Sequence, residues 1–452
     1  MMKKILLNAF CMNSVAHVHQ GLWRHPRDRS LDYADLNYWI EFAKLLEGGL
    51  FDGVFMADGL GVYDVFEGNA DAALESAVMI PKNDPSLLVS AMAAVTRHLG
   101  FGITFNVFDE MPYAFARKMA TLDHLTRGRM GWNVVTGFLD SSAKARGDGE
   151  LLRHDERYAF ADEFMDVMYQ LWERSWEEGA VKRDVGRGVY ADPAKIHRIR
   201  HEGKHLKLDA IQMTEPTPQR TPVLFQAGTS PRGIEFAAKH AECVYLSGAT
   251  PARVGAKVKK LREACVANGR PADALRIFAS MDVIAAATDA EARDKHAEYR
   301  RYIDRRGSLV RFAGFTGIDF SQVDLNEPIR QISSNGIQSF LDNLVAGNAE
   351  GVAVADAADT LRMNGGNPVL VGSGSSVADQ LQQWVEESDV DGFNLGCPIK
   401  MESIADFIAH AVPALQDRGI YKTAYAEGTL REKLFSKGAR LSGGHPAALA
   451  RG

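Results

Sequence analysis

The sequence predicts an α/β protein folded as a closed (β/α)8 TIM barrel, with long insertions after strands 4 and 7. Three observations carry that expectation. Eight short apolar runs are bounded by turn residues, amphipathic helical patterns lie between them, and the stretch behind the first run, Asn8 to His19, holds no glycine. Runs that are apolar on both faces read as parallel strands covered by helices. The missing glycines argue against the dinucleotide fingerprint of an open doubly wound sheet. A plain barrel takes roughly 250 residues, so a 452-residue chain must carry insertions.

The first strand is expected over Ile5–Phe10. Leu36, Trp39, Ile40, Ala43 and Leu46 repeat at helical spacing and stop at Gly48-Gly49, before the second strand, Gly53–Ala57. Leu88, Ala91, Met92, Val95 and Leu99 repeat the pattern ahead of the third strand, Gly102–Val107; the fourth is Met130–Val135. Residues 137–220 then exceed what a barrel needs. They hold a long helix marked by Phe160, Phe164, Val167, Met168 and Leu171, and a polar region in which Val189–Ala191 and Leu206–Leu208 read as a small hairpin. Strands five to seven are expected over Pro222–Ala227, Cys243–Leu246 and Leu275–Ala285. A second insertion, residues 288–369, is charged and helical over Ala290–Arg306, and the eighth strand is Gly392–Leu395. Long insertions in a compact domain tend to be functional. The expectation is therefore one domain over residues 1–434, followed by a Gly/Ala/Ser-rich tail, 435–452, that packs loosely.

Composition excludes several classes. With 52 Lys+Arg against 58 Asp+Glu, interleaved throughout, no basic arm exists for nucleic acid. No run reaches the roughly 18 apolar residues of a membrane span. Met1 to Phe10 reads better as a buried strand than as a signal peptide, because Asn8 interrupts it. Cys11, Cys243, Cys265 and Cys397 are scattered without a CxxC pair and read as reduced core thiols of a cytoplasmic protein.

In a barrel, the residues that close each strand face the active site. Here they are Asn13, His17 and His19, then Asp58, Thr104, Asn106, Asn133, Thr136, Gln226, Gly228 and Asn394, a polar ring with few charges that suits a neutral heteroaromatic ligand. Ser230-Pro231 is a helix N-cap followed by a favoured first residue, so free main-chain N–H groups should face the strand ends. Such an end takes a phosphate or takes nothing. His154 to Tyr158 offers a cation and a phenol for a second side, or a charged helix start. His17-x-His19 with His25 invites a metal, but the pair lies beyond the strand and later strand ends carry no histidine. Gly372 to Val377 reads as a βα turn, since a third glycine is missing.

Several ordered motifs are recognisable. They include Gly21 to Pro26 (Gly-Leu-Trp-Arg-His-Pro), Phe51 to Asp58 (Phe-Asp-Gly-Val-Phe-Met-Ala-Asp), Thr121 to Arg129, Trp132 to Thr136, His154 to Tyr158, Pro218 to Pro222, and Gln226 to Gly228 with Ser230 to Arg232. On them the chain resembles the bacterial-luciferase-like flavin monooxygenases from about Lys3 to about Leu434. Within that family it is similar to the branch of nitrilotriacetate monooxygenase component A and of the dimethylsulfide, long-chain alkane and dibenzothiophene-sulfone monooxygenases.

The resemblance implies a homodimeric or homotetrameric oxygenase that uses O2 and reduced FMN, made by a separate NAD(P)H:flavin reductase, on a small organic substrate such as a sulfide, sulfone, aminopolycarboxylate or alkane. It places Asp58, Thr104, His154, Tyr158 and Ser230 on FMN-contacting positions, with Asn133 and Gly228 beside them, and His17 by the flavin as general acid/base with a pKa near neutrality, Asn133 being the second catalytic candidate. Tyr63 is expected to line the substrate pocket. That pocket departs from the relatives: Ser14 stands where alkane and dimethylsulfide members have Cys, Met79 and Phe138 where the alkane enzyme has Gln and His, and Phe315 where sulfone members have His. Arg24 and Arg27 are the only nearby cations the sequence suggests. A metal-dependent hydrolase and a non-catalytic flavin-binding relative remain the alternatives.

Overall fold

The computed structural model describes residues 3–323 and 366–451. Eight parallel strands close into a barrel: β1 (Leu6–Met12), β2 (Gly53–Ala57), β3 (Gly100–Asn106), β4 (Met130–Val135), β9 (Val223–Gln226), β10 (Cys243–Leu246), β11 (Arg276–Ala286) and β13 (Gly392–Gly396). β1 pairs with both β2 and β13, and β10 with β11, which shuts the ring. β3 is buried along its whole length, as a strand between an aromatic interior and a shell of helices must be.

The helices follow from their caps. Asp35 accepts from the Asn37 N–H to open Leu36–Gly48, whose buried face is Tyr38, Trp39, Phe42, Ala43 and Leu46. That stripe is rotated from the expected one, leaving Leu36 exposed. Ser373 caps Gly374–Ser388, so the Gly372 to Val377 run is a βα turn.

Three further expectations are corrected. Val189–Ala191 and Leu206–Leu208 do not pair with each other. Each joins its own upstream neighbour: β5 (Val181–Asp184) with β6 (Val189–Ala191), and β7 (Ile199–Glu202) with β8 (Lys207–Ala210). Gly186, Gly188 and Gly203 in the intervening turns make the two local closures cheaper than a long-range one. An unforeseen strand, β12 (Val369–Ser373), pairs with Asp282–Ala286, the outer half of the eleven-residue β11. The tail is not loose. Leu441, His445 and Ala447 are buried, and His445 Nε2 meets the His240 carbonyl at 2.8 Å. From the second insertion the described part forms helices Asp289–Arg300 and Arg305–Thr316; residues 324–365 lie outside the described residues.

The N-terminal mouth of the barrel is plugged. Leu430, Leu434 and Phe435 from the short helix Leu430–Phe435 pack with Phe55, Phe225, Tyr245 and Phe278 inside the barrel. Buried Arg431 holds that plug with two hydrogen bonds to Glu242, at 2.7 and 2.9 Å. Several recognisable motifs serve this frame. Arg129 donates to the carbonyls of Ala93, Thr96, Leu99 and Thr126, and Gln219 binds Asp123 at 2.7 Å. With this end sealed, access is left to the C-terminal ends of the strands.

Candidate active site

Those strand ends open onto a cavity of about 260 Å³, lined by the tips of β2, β3, β4 and β9, by residues from 59 to 82, and by residues from 136 to 158. It gathers Asp58, Tyr63, Met79, Phe138, His154, Tyr158, Gly228 and Ser230.

One end of the cavity is a helix N-terminus. Ser230 caps Pro231–His240: its Oγ accepts from the Gly233 N–H at 3.1 Å and lies 3.2 Å from His154 Nε2. Tyr158, one turn along the helix His154–Tyr169, sets its ring 5.1 Å from that of His154 and takes a 3.5 Å contact from Gln226 Nε2. Burial pushes the Tyr158 phenol up, so it stays a neutral donor. A Cβ added at Gly228 would stand 2.5 Å from the Tyr158 hydroxyl, and one at Gly233 3.0 Å from it. Glycine therefore allows the backbone to close around that hydroxyl. Buried Arg157 lines the same end. Its Nη1 donates to the Leu152 carbonyl at 2.8 Å, and its Nε has no hydrogen-bond partner among the described residues. Neutral donors, main-chain N–H groups and one cation make a cradle for an anion.

Thr104 and Asn133 do not line the cavity. They are register partners on β3 and β4, and Asn133 Nδ2 donates to Thr104 Oγ1 at 3.0 Å. Among the described residues the Asn133 Oδ1 is buried without a partner, as are the side-chain carbonyl oxygens of Asn13, Gln226 and Asn394. Leaving a buried acceptor unmade costs about 1–3 kcal/mol. Of the four residues only Gln226 lines the cavity, where a ligand with an N–H donor, such as a flavin ring, would complete its oxygen.

The other end is aromatic. Tyr63, Phe138 and Phe315 contact one another, with centroids 6.4 Å (Tyr63–Phe138), 5.9 Å (Tyr63–Phe315) and 5.4 Å (Phe138–Phe315) apart. They belong to a second apolar core that includes Phe66, Val78, Leu139, Val310 and Phe312 and stands apart from the main one. Met79 lines the cavity with φ of 59°, a left-handed conformation uncommon for a side chain of its size. Asp58 and Lys82 lie between the ends. Burial raises the Asp58 carboxyl and lowers the Lys82 amine, which donates to the Gly59 carbonyl.

His17 sits in a smaller neighbouring cavity with Ser14, whose hydroxyl donates to the Ala16 carbonyl at 3.0 Å. Burial first, then Arg311, His19, Lys400 and Lys82, hold the His17 imidazole well below its ordinary pKa. The imidazole pKa thus lies below the near-neutral value expected for it. His19 bonds Asp282 at 2.7 Å and His25 faces Glu298 at 3.2 Å, so the three histidines point to separate partners. Among the described residues, no group of three or more His, Cys, Asp or Glu gathers as a metal site. Arg24 and Arg27 are spent elsewhere, on the Tyr302 carbonyl and on Glu298 with Glu402. Of the remaining cations, Lys82 lines the cavity, and Arg311 stands against Phe315 outside its lining. Neither carries a local sequence signal: Lys82 is a lone lysine after Pro81, and Arg311 lies inside an insertion.

Residues 12–391 match the family model for luciferase-like monooxygenases. The chain belongs to that family. It is 45% identical to the dimethyl-sulfide monooxygenase of Hyphomicrobium sulfonivorans, over 99% of this chain and 94% of that one. It is also 45% identical to the long-chain alkane monooxygenase of Geobacillus thermodenitrificans, over 99% of this chain and 98% of that one. Among solved structures, a long-chain alkane monooxygenase superposes with a TM-score of 0.93 over 100% of both chains, at 45% identity. A riboflavin lyase bound to a modified FMN and riboflavin does so with a TM-score of 0.93 over 100% of both chains, at 35% identity. This luciferase-like monooxygenase is therefore a flavin-dependent enzyme on a closed eight-stranded barrel. No helix among its described residues is long and apolar enough to cross a membrane.

Proposed function

We propose that the chain is the oxygenase component of a two-component system, taking reduced FMN from a separate NAD(P)H:flavin reductase and using O2 to oxygenate a small organic substrate. The observation that carries this is the Ser230 cradle, which ends the same cavity that Tyr63 and Phe138 line. Ser230, Tyr158, His154 and Arg157 would hold the phosphate, and the orphaned amide oxygen of Gln226, which lines the cavity, would accept from the flavin ring. When bound there, reduced FMN supplies the activation of O2. The chain orients the ring, keeps water out with apolar walls, and offers His17 as a neutral imidazole that donates or accepts one hydrogen bond. The relatives named for dimethyl sulfide and long-chain alkanes support a small, largely apolar substrate.

The protein alone is expected not to oxidise NADH, whereas adding a flavin reductase and FMN gives substrate-dependent O2 consumption. Ser230→Asp, which sets a negative charge against the phosphate, is expected to weaken FMN binding at least about tenfold, on the order of 1.4 kcal/mol. Unchanged affinity in fluorescence titration would remove Ser230 from the site.

A further inference from the structure

Arg311 does not itself line the cavity, but it stacks on Phe315, which contacts the lining residues Tyr63 and Phe138, and the apolar reading does not absorb it. It is 9% exposed, and its guanidinium stands 4.6 Å from the centroid of Phe315. Among the described residues its Nε has no hydrogen-bond partner and no carboxylate lies within ion-pair distance of it. Other buried arginines here have anchored guanidiniums: Arg431 has Glu242, Arg129 has four carbonyls, Arg270 has the carbonyls of Ala238 and Ala241, and Arg157 and Arg220, whose Nε atoms also lack a partner among the described residues, each donate through Nη1 to main-chain carbonyls. A buried charge without a partner is costly, and chains keep one where a ligand completes it.

A second orphan lies beside it. The Tyr63 hydroxyl is buried and without a partner among the described residues, although Tyr63 itself lines the cavity. The helix Arg305–Thr316 is pressed onto that ring. A Cβ added at Gly314 would sit 2.7 Å from Tyr63 Cγ, so glycine there allows the helix carrying Arg311 to close on Tyr63. Arg311 and Tyr63 also influence each other's ionisation, and burial brings the guanidinium down only to about 10, so it remains a cation at neutral pH.

We propose that Arg311 and the Tyr63 hydroxyl form an anchor for the anionic group of the substrate, so that this enzyme takes a small organic anion, a carboxylate or sulfonate with an apolar body, rather than a neutral sulfide or alkane. The proposal rests on the flavin monooxygenase reading and narrows it. Phe138, Phe315 and Met79 form the apolar wall for the body, and the guanidinium and phenol O–H take the oxyanion.

The test is calorimetric titration of the full chain, with and without FMN, using sodium hexanoate, hexane-1-sulfonate and hexan-1-ol as probes. At least one anion is expected to bind at least about tenfold tighter than the alcohol, the carboxylate and sulfonate arms telling the two headgroups apart. Arg311→Met is expected to bring anion affinity down to that of the alcohol while its melting temperature holds or rises, because an unpaired buried charge has been removed; Arg311→Lys keeps part of the preference. Equal binding of alcohol and both anions, anion affinity untouched by Arg311→Met, or a clearly lowered melting temperature in that variant would each overturn the anchor. Failure of the wild type to bind FMN while the anion preference persists would sink the flavin reading and leave the anchor standing.

Discussion

The Ser230 end of the cavity is built from regular elements: a capped helix, the first turn of another helix, and glycines that bring main chain against Tyr158. The Tyr63 end is built from side chains of three segments outside the barrel, residues 60–82, 138–142 and 305–316, held by their own small apolar core. Main-chain donors fixed by the fold change little when side chains change. Side chains on a separate core can be exchanged without disturbing the barrel. The first end therefore suits a cofactor common to a family, and the second suits a substrate peculiar to one member.

That division can be broken by experiment. Gly228→Val fills the space against the Tyr158 hydroxyl and is expected to weaken FMN binding at least about a hundredfold, on the order of 2.7 kcal/mol, in a fluorescence titration. A variant that binds FMN normally would show that the cradle is not the cofactor end. Tyr63→Phe removes a hydroxyl that has no partner among the described residues. Its folding stability should stay within about 1 kcal/mol of the parent and FMN affinity should not move, while the apparent affinity for an anionic substrate falls. A loss of FMN binding there would mean the two ends are one site.

The smallest effect concerns acid. His17 is held neutral in the fold, and its ordinary pKa is 6.5. Below that pH the unfolded chain binds a proton that the folded chain refuses, so stability declines as pH falls, by up to about 1.4 kcal/mol per pH unit for such a group. His240 and His445, also lowered by burial, act in the same direction. His17→Gln should therefore lose less stability than the parent on acidification below pH 6.5, as read by denaturant melts. An equal loss would place the His17 pKa near its ordinary value.

The same contrast explains what the sequence disclosed. Ser230-Pro231 was legible because capping is local: one hydroxyl, one missing N–H and the following turn define it. The barrel was legible because doubly buried strands leave continuous apolar runs. Arg311 was not, since nothing in its neighbourhood in sequence says that its helix closes on Tyr63 through Gly314. The hairpins were mispaired for a related reason: apolar pattern names a strand, while turn glycines choose its partner. The tail misled through composition, because the small residues around Leu441 and Ala447 pack against the barrel's shell instead of floating. Motifs such as Thr121 to Arg129 identified the family yet hold the frame, which shows that a recognisable residue need not touch the chemistry.

The most direct test of the cavity assignment compares oxidised FMN with riboflavin, which lacks the phosphate, in equilibrium binding to the parent and to Ser230→Asp. FMN should bind the parent at least about tenfold tighter than riboflavin, and Ser230→Asp should erase that difference. Equal affinities of the parent for the two flavins would contradict a phosphate at Ser230.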